Sequence, residues 1–286
     1  MNLPNEPTPS LVVISGASGG LGKAFAVECA ARGWSLLLTD LRAEPLETLA
    51  AGLRRASSVT VLTHPCDLSS ANQRAELRAC FHRAGLRVWM LINVAGLDHE
   101  GPFCHLTSQQ LLAIVRVNIE GTLDLTHGLL EQRDPRATLR IINVASLAAF
   151  YPMPVKATYA ASKRFLLDFS LALNEELRGL GATVTALCPA GMPTNAETLR
   201  AIRAQGWLGQ ITTLDTGRVA SQTLDAALAG RQVVVPGWSN RALQCLGGLV
   251  PRGLLARLIA SRWSAARRRR GLSSTAQPLR AVLGEG

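Results

Sequence analysis

No uninterrupted apolar run in these 286 residues approaches the ~20 that a membrane-spanning helix needs. No C-x-x-C pair occurs either, and the cysteines (Cys29, Cys66, Cys80, Cys104, Cys188, Cys245) are scattered. That argues against a disulfide framework and a zinc site, and predicts buried free thiols. His64, His82, His99, His105 and His127 lack metal-ligand spacing, so no metal is expected. The opening MNLPNEPTPS lacks the basic-then-apolar order of a signal peptide. It reads as a flexible leader over 1–10, with a cytoplasmic location expected. Between Ser239 and Arg270 there is no acid, yet eight arginines stand there and supply most of the formal net charge of +10. The basic character therefore belongs to the tail.

What is present is a globular composition, 48% apolar and 17% charged, in a chain long enough for one large domain. Short apolar runs rich in β-branched residues, at 11–15, 35–39, 59–63, 88–92, 138–145, 182–188 and 232–236, read as buried strands. Helical periodicity fills most of the gaps. Alternating strands and helices imply an α/β fold with a parallel sheet covered on both faces. Ligands then bind beyond the carboxyl ends of the strands. No internal repeat or second domain is visible, so 11–238 reads as one domain and 239–286 as an extension.

The first strand runs into Ser15-Gly16-Ala17-Ser18-Gly19-Gly20-Leu21-Gly22 and then a helical pattern. Such a turn lets the backbone approach a pyrophosphate at the positive end of a helix. Gly16, Ser18, Gly20, Leu21 and Gly22 are therefore candidate cofactor residues. Asp40 ends the second strand 18 residues after Gly22. An acid there accepts hydrogen bonds from ribose hydroxyls and repels a 2′-phosphate, which favours NAD(H). Gly19 offers no basic side chain to such a phosphate; Arg42 is close enough to reach one and keeps NADP(H) as the alternative. Asp67, after the third strand, reads either as an adenine contact or as the opener of the next helix.

Tyr159-Ala-Ala-Ser-Lys163 opens a segment of helical periodicity running to about Gly179. At i and i+4 the phenol and the ammonium share a face. A nearby cation favours the phenolate and prepares the tyrosine for proton transfer. A surface tyrosine beside a lysine is the plain alternative for this pair alone. Upstream, 106–128 reads as helix with a break near Gly121, and Asn118 in its middle marks a local distortion.

Taken in order, these motifs resemble the short-chain dehydrogenase/reductase family over roughly 11–236. Ser15-Gly16-x3-Gly20-x-Gly22 matches the family's glycine motif with Ser in place of Thr. Asp67-Leu68 and Asn93-Val94-Ala95-Gly96 follow, the latter departing at Val94, and Pro189-Ala190-Gly191-Met192-Pro193-Thr194 departs at Ala190. Asn118, Ser146, Tyr159 and Lys163 fall where the family carries its catalytic tetrad. The resemblance implies a Rossmann-type doubly wound sheet of about seven strands flanked by helices, with the basic tail as an addition. It implies Tyr159 as general acid or base, Lys163 lowering its pKa and holding the nicotinamide ribose, and Ser146 bonding the substrate oxygen. Asn118 would hold a relay water. Asp67, Leu68, Asn93, Ala95, Gly96, Pro189, Met192 and Thr194, with Tyr159 and Lys163, would meet the cofactor. A homodimer or homotetramer is expected on the same ground.

Apolar residues at 147–158 and 192–217 suggest a lipophilic secondary alcohol or ketone (acyl, polyketide, sterol or terpenoid), although they would equally pack a lid. Ser146, Phe150, Tyr151, Tyr159 and Trp207 are the candidate substrate contacts. A catalytically silent dinucleotide-binding scaffold is the second reading, and the complete tetrad speaks for the enzyme. In the tail, a helix from Pro251 would gather Leu254, Leu255, Leu258, Ile259 and Trp263 on one side. Docking on the domain or a partner subunit and lying on an anionic membrane surface both fit that pattern. Nucleic-acid binding is disfavoured, because the basic run lacks interleaved aromatics.

Overall fold

The computed structural model describes residues 10–192 and 214–269. Among them, β1 (Ser10–Ser15), β2 (Leu36–Thr39), β3 (Val61–Thr63), β4 (Arg87–Asn93), β5 (Leu139–Val144), β6 (Ala182–Leu187) and β7 (Val233–Val234) form one sheet. Its order is β3-β2-β1-β4-β5-β6-β7, with every pairing parallel. The helices are α1 (Gly20–Ala31), α2 (Ala43–Ala56), α3 (Ala71–Arg83), α4 (Ser108–Val115), α5 (Gly121–Leu130), α6 (Ala157–Glu176), α7 (Thr216–Leu228), α8 (Trp238–Leu249) and α9 (Arg252–Arg269).

Strand β1 shows why the apolar runs are continuous rather than alternating. Val12 and Ile14 pack with Phe25 of α1, Leu46 of α2 and Leu224 of α7 on one face. Leu11 and Val13 pack with Leu77 and Phe81 of α3 and Leu125 of α5 on the other. All four β1 side chains are fully buried, each contributing about 1.5–3 kcal/mol of apolar transfer. The chain winds outward from β1 through β2 to β3 and then crosses back to β4 on the opposite side of β1. The strand order reverses between β1 and β4, and in such sheets ligands bind beyond the carboxyl ends of the strands at that point.

The helix expected over 106–128 is in fact α4, a π-helical turn (Arg116–Glu120) and α5, with buried Asn118 inside the turn. The distortion lies just before Gly121, where the asparagine takes hydrogen bonds outside the helix. The tail is helical earlier than the 251 onset expected from sequence, because α8 follows β7 almost directly. Of the thiols expected to be buried, only Cys29, Cys66 and Cys188 are; Cys80 is half-buried, and Cys104 and Cys245 are exposed. Cys104 sits in an exposed 3-10 turn (Phe103–His105) and Cys245 on α8. No described helix is long and apolar enough to cross a membrane.

Candidate active site

The glycine loop is shaped by contacts that no side chain could share. Gly16 has φ +65°, and a Cβ on it would lie 2.7 Å from the Ala95 backbone. A Cβ on Gly22 would lie 2.1 Å from the Gly16 carbonyl oxygen. The loop thus folds tightly onto the start of α1, whose first turn carries Gly20, Leu21 and Gly22. Ser15 Oγ accepts from Ala95 N at 3.4 Å, joining this loop to the one after β4. Asp40 is tied to the same place: its Oδ2 accepts from Ser18 N at 2.9 Å. One carboxylate oxygen of Asp40 braces the loop, and the other has no hydrogen-bond partner among the described residues.

Other expected cofactor residues are placed differently. Asp67 Oδ1 accepts from Ser69 N at 2.8 Å, and the helix cap is Ser70, not Asp67. Leu68 is buried in the core beneath Gly121, so it underlies the crevice rather than lining it. Asn93 is a second correction. Its Nδ2 donates to Asn143 Oδ1 at 2.8 Å and Thr126 Oγ1 at 3.1 Å, inside the core. The register that pairs Asn93 with Asn143 makes this a clasp between β4 and β5. Gly96, by contrast, reaches the tetrad: a Cβ on it would sit 3.1 Å from Lys163 Nζ. Pro189 is buried, its carbonyl accepting from Leu147 N at 2.8 Å, and Met192 packs partly against the core. Ala190, where the family carries a glycine, does not have a left-handed backbone. Thr194 and Trp207 lie outside the described residues.

The tetrad residues converge beyond the ends of β4, β5 and the start of α6. Lys163, 3% exposed, donates from Nζ to Val144 O at 2.8 Å, and its Nζ lies 5.7 Å from the Tyr159 ring centroid. Ser146 caps the 3-10 turn Leu147–Phe150, accepting from Ala148 N at 3.1 Å, and its hydroxyl faces the Tyr159 phenol. Burial pushes the phenol above its ordinary pKa; the nearby Ser146 hydroxyl opposes this, Asp98 adds to it, and Lys156 opposes it. The cation expected to lower the phenol was Lys163. Desolvation instead pushes Lys163 itself down to about 8, despite Asp98 and Cys188 nearby.

The Asn118 side chain, expected beside a relay water, bonds to protein: Oδ1 accepts from Leu97 N at 2.7 Å, and Nδ2 donates to Leu97 O at 3.0 Å and Ser162 Oγ at 2.9 Å. It braces the loop carrying Gly96 against α6. Tyr151, expected at the substrate, donates its hydroxyl to Leu243 O and so docks α8 on the sheet edge. Phe150 packs partly against Leu166, Leu167 and Val235. Sequence reasoning missed Asp98, Glu100 and Lys156, which form an ion cluster beside Tyr159. The available signal was a lysine three residues before the tyrosine. A mostly apolar cleft of about 240 Å³ adjoins them, lined by Phe103, Leu106, Leu111, Pro154 and Val155 among others. A larger cleft, about 550 Å³, lies at the β7 edge and contains none of the tetrad.

The sequence profile of the short chain dehydrogenase family matches residues 10–203. The chain belongs to the short-chain dehydrogenase/reductase family. It is 33% identical over 177 residues to a very-long-chain 3-oxoacyl-CoA reductase of Laccaria bicolor, covering 61% of this chain and 52% of that one. It is 30% identical over 184 residues to mouse 17-beta-hydroxysteroid dehydrogenase type 3, covering 64% and 60%. This family member therefore spans little more than half the length of those relatives. A short-chain dehydrogenase from Sphingobium yanoikuyae in complex with NADPH superposes with a TM-score of 0.71 at 27% identity, covering 94% of this chain and 98% of that one.

Proposed function

We propose that this short-chain dehydrogenase/reductase interconverts a lipophilic secondary alcohol and its ketone with a nicotinamide dinucleotide. The observation that carries this is the meeting of Ser146, Tyr159 and Lys163 beside a glycine loop in the switch-point crevice. The glycines support such a cofactor: Gly16 and Gly22 let the loop fold tightly at the start of α1, and Gly96 leaves room for the Lys163 ammonium beside it. Gly16, Ser18, Gly20, Leu21 and Gly22 would hold the pyrophosphate at the start of α1. Asp40 would hold the adenosine ribose, which favours NAD(H), with Arg42 the residue that would serve NADP(H) instead. Asp67, Ala95, Gly96, Pro189, Met192 and Thr194 would complete the contacts. Asn93 and Leu68 would act only by supporting the backbone around them.

The dinucleotide, when bound, supplies or accepts the hydride. Tyr159 gives a proton to the substrate oxygen in reduction and takes one in oxidation. Ser146 donates to the same oxygen as negative charge develops on it. Lys163 would hold a ribose hydroxyl of the bound dinucleotide, and its ammonium lies 5.7 Å from the Tyr159 ring centroid. The apolar cleft beside Thr158 and the acyl-CoA and steroid activities in the names of the two relatives support a lipophilic substrate.

Titration with NADH and NADPH, followed by an acyl, steroid and terpenoid carbonyl panel, tests the reading. Cofactor-dependent turnover supports it. Binding without any turnover would favour a dinucleotide-binding scaffold. Light scattering tests the expected homodimer or homotetramer, and fractionation of the source cells tests the expected cytoplasmic location. Leu254 and Leu258 on α9 are about half exposed, which supports membrane-surface contact by the basic tail. Equal sedimentation of the wild type and a double Leu→Gln variant with anionic vesicles would remove that idea.

A further inference from the structure

Lys156 immediately precedes α6, and its side chain is only 19% exposed although it carries a charge. Its ammonium is paired with the Asp98 carboxylate and lies 3.2 Å from that of Glu100. Both acids belong to the loop after β4. A backbone bond, Gly101 N to Val155 O at 2.8 Å, joins the same two segments. The turn that presents Lys156 is closed by Lys156 N to Met153 O at 3.2 Å, with Pro154 and Val155 at its centre. Val155 has φ +61°, the only left-handed non-glycine backbone among the described residues. A β-branched side chain is costly there, so the surrounding contacts hold the turn in place. The result is an ammonium 5.7 Å from the Tyr159 ring centroid, the same separation as for Lys163.

We propose that Lys156, clamped by Asp98 and Glu100, is a positioning residue: a second cation that sets how readily Tyr159 releases its proton, with Asp98 opposing it. This rests on the reading of Tyr159 as the general acid and base. The groups facing Tyr159 are Lys156, Lys163, Asp98 and the Ser146 hydroxyl. Cys188 faces Lys163, and burial raises its thiol to about 12, so it is neutral near pH 7. Glu100 stands behind Lys156. Removing Lys156 leaves the Asp98 charge uncompensated, so the phenol should hold its proton more tightly. Removing Asp98 removes the anion nearer the phenol and leaves Lys156 paired with Glu100 alone, so the phenol should release it more readily. A tie that only stabilised the two loops would not give opposite shifts.

The chain has two tyrosines, so carbon-13 labelling at tyrosine Cζ gives two resonances, with Tyr151→Phe assigning them. The full-length protein is titrated as wild type, Lys156→Met, Lys156→Arg and Asp98→Asn. The expected result is a Tyr159 pKa raised by about one unit in Lys156→Met, a tenfold change in proton affinity. Asp98→Asn should lower it, and Lys156→Arg should stay near wild type. An unchanged Tyr159 in Lys156→Met and Asp98→Asn, or shifts in the same direction, would overturn the proposal. The acidic limb of the kcat/KM profile for alcohol oxidation, where activity falls as the phenolate is protonated, should follow the resonance. If the resonance shifts as expected and the limb does not, the role of Lys156 stands and the acid–base reading of Tyr159 falls.

Discussion

Asn118→Ala removes an amide that is wholly inside the protein and fully committed on its donor side. The loss exposes three groups to a vacancy: Leu97 N, Leu97 O and Ser162 Oγ, bonded at 2.7, 3.0 and 2.9 Å. An orphaned buried polar group costs ~1–3 kcal/mol. Ser162 keeps its own bond to Tyr159 O at 2.7 Å, and Leu97 is only half-buried, so the three do not add in full. The expected destabilisation is about 2–4 kcal/mol, read as a lowered denaturation midpoint in urea with unchanged slope. A double-mutant cycle with Ser162→Ala should return a coupling of about 1 kcal/mol for their shared bond. Freed from the brace, the loop carrying Gly96 would no longer be held 3.1 Å from Lys163 Nζ (measured to its would-be Cβ), so turnover should fall under native conditions too. A stability change below ~0.5 kcal/mol would refute the bracing account, since it lies within the range of an ordinary surface substitution.

Gly22→Ala should abolish measurable dinucleotide binding, because its Cβ would lie 2.1 Å from the Gly16 carbonyl; calorimetric titration reads this directly. Gly52→Ala in α2 meets nothing within 4 Å and should instead raise stability by about 0.5–1 kcal/mol in the same denaturation assay. Asp40→Ala should weaken NADH more than NADPH in a fluorescence titration, since the anion facing the ribose is lost; tighter NADPH binding in the wild type would assign the job to Arg42. Lys163, with its ordinary pKa of 10.5 pushed down to about 8 by burial, binds fewer protons folded than unfolded between those values. Its contribution to apoprotein stability should therefore rise with pH across that window, be complete above it and vanish as pH falls below 8. Lys163→Met should flatten that part of the stability–pH curve by up to one proton's worth of slope.

Where a function depended on a local pattern, the chain announced it. The β-branched runs, the glycine turn after β1 and the Tyr159–Lys163 spacing are short-range features, and their order carried the fold and the tetrad. Residues whose role depends on a distant partner were not legible. Asn93 clasps Asn143 because β4 and β5 pair in a particular register, which fixes the face each side chain takes. Tyr151 anchors α8 through Leu243, 92 residues away, so an aromatic near the site was spent on docking. Asn118 betrayed the π-helical turn by its low helix propensity, but nothing local said that it would grip Leu97. Lys156 and Asp98 meet across 58 residues, and neither belongs to the family's motifs.

The central claim is that Tyr159 manages the proton while a bound nicotinamide handles the hydride. Its most direct test is single-turnover reduction of an active ketone by the wild type and by Tyr159→Phe, with cofactor affinity measured in parallel. The account predicts a rate lower by about 10²–10⁴ in the variant with NAD(P)H affinity nearly unchanged. A Tyr159→Phe protein that reduces the ketone at the wild-type rate would contradict it.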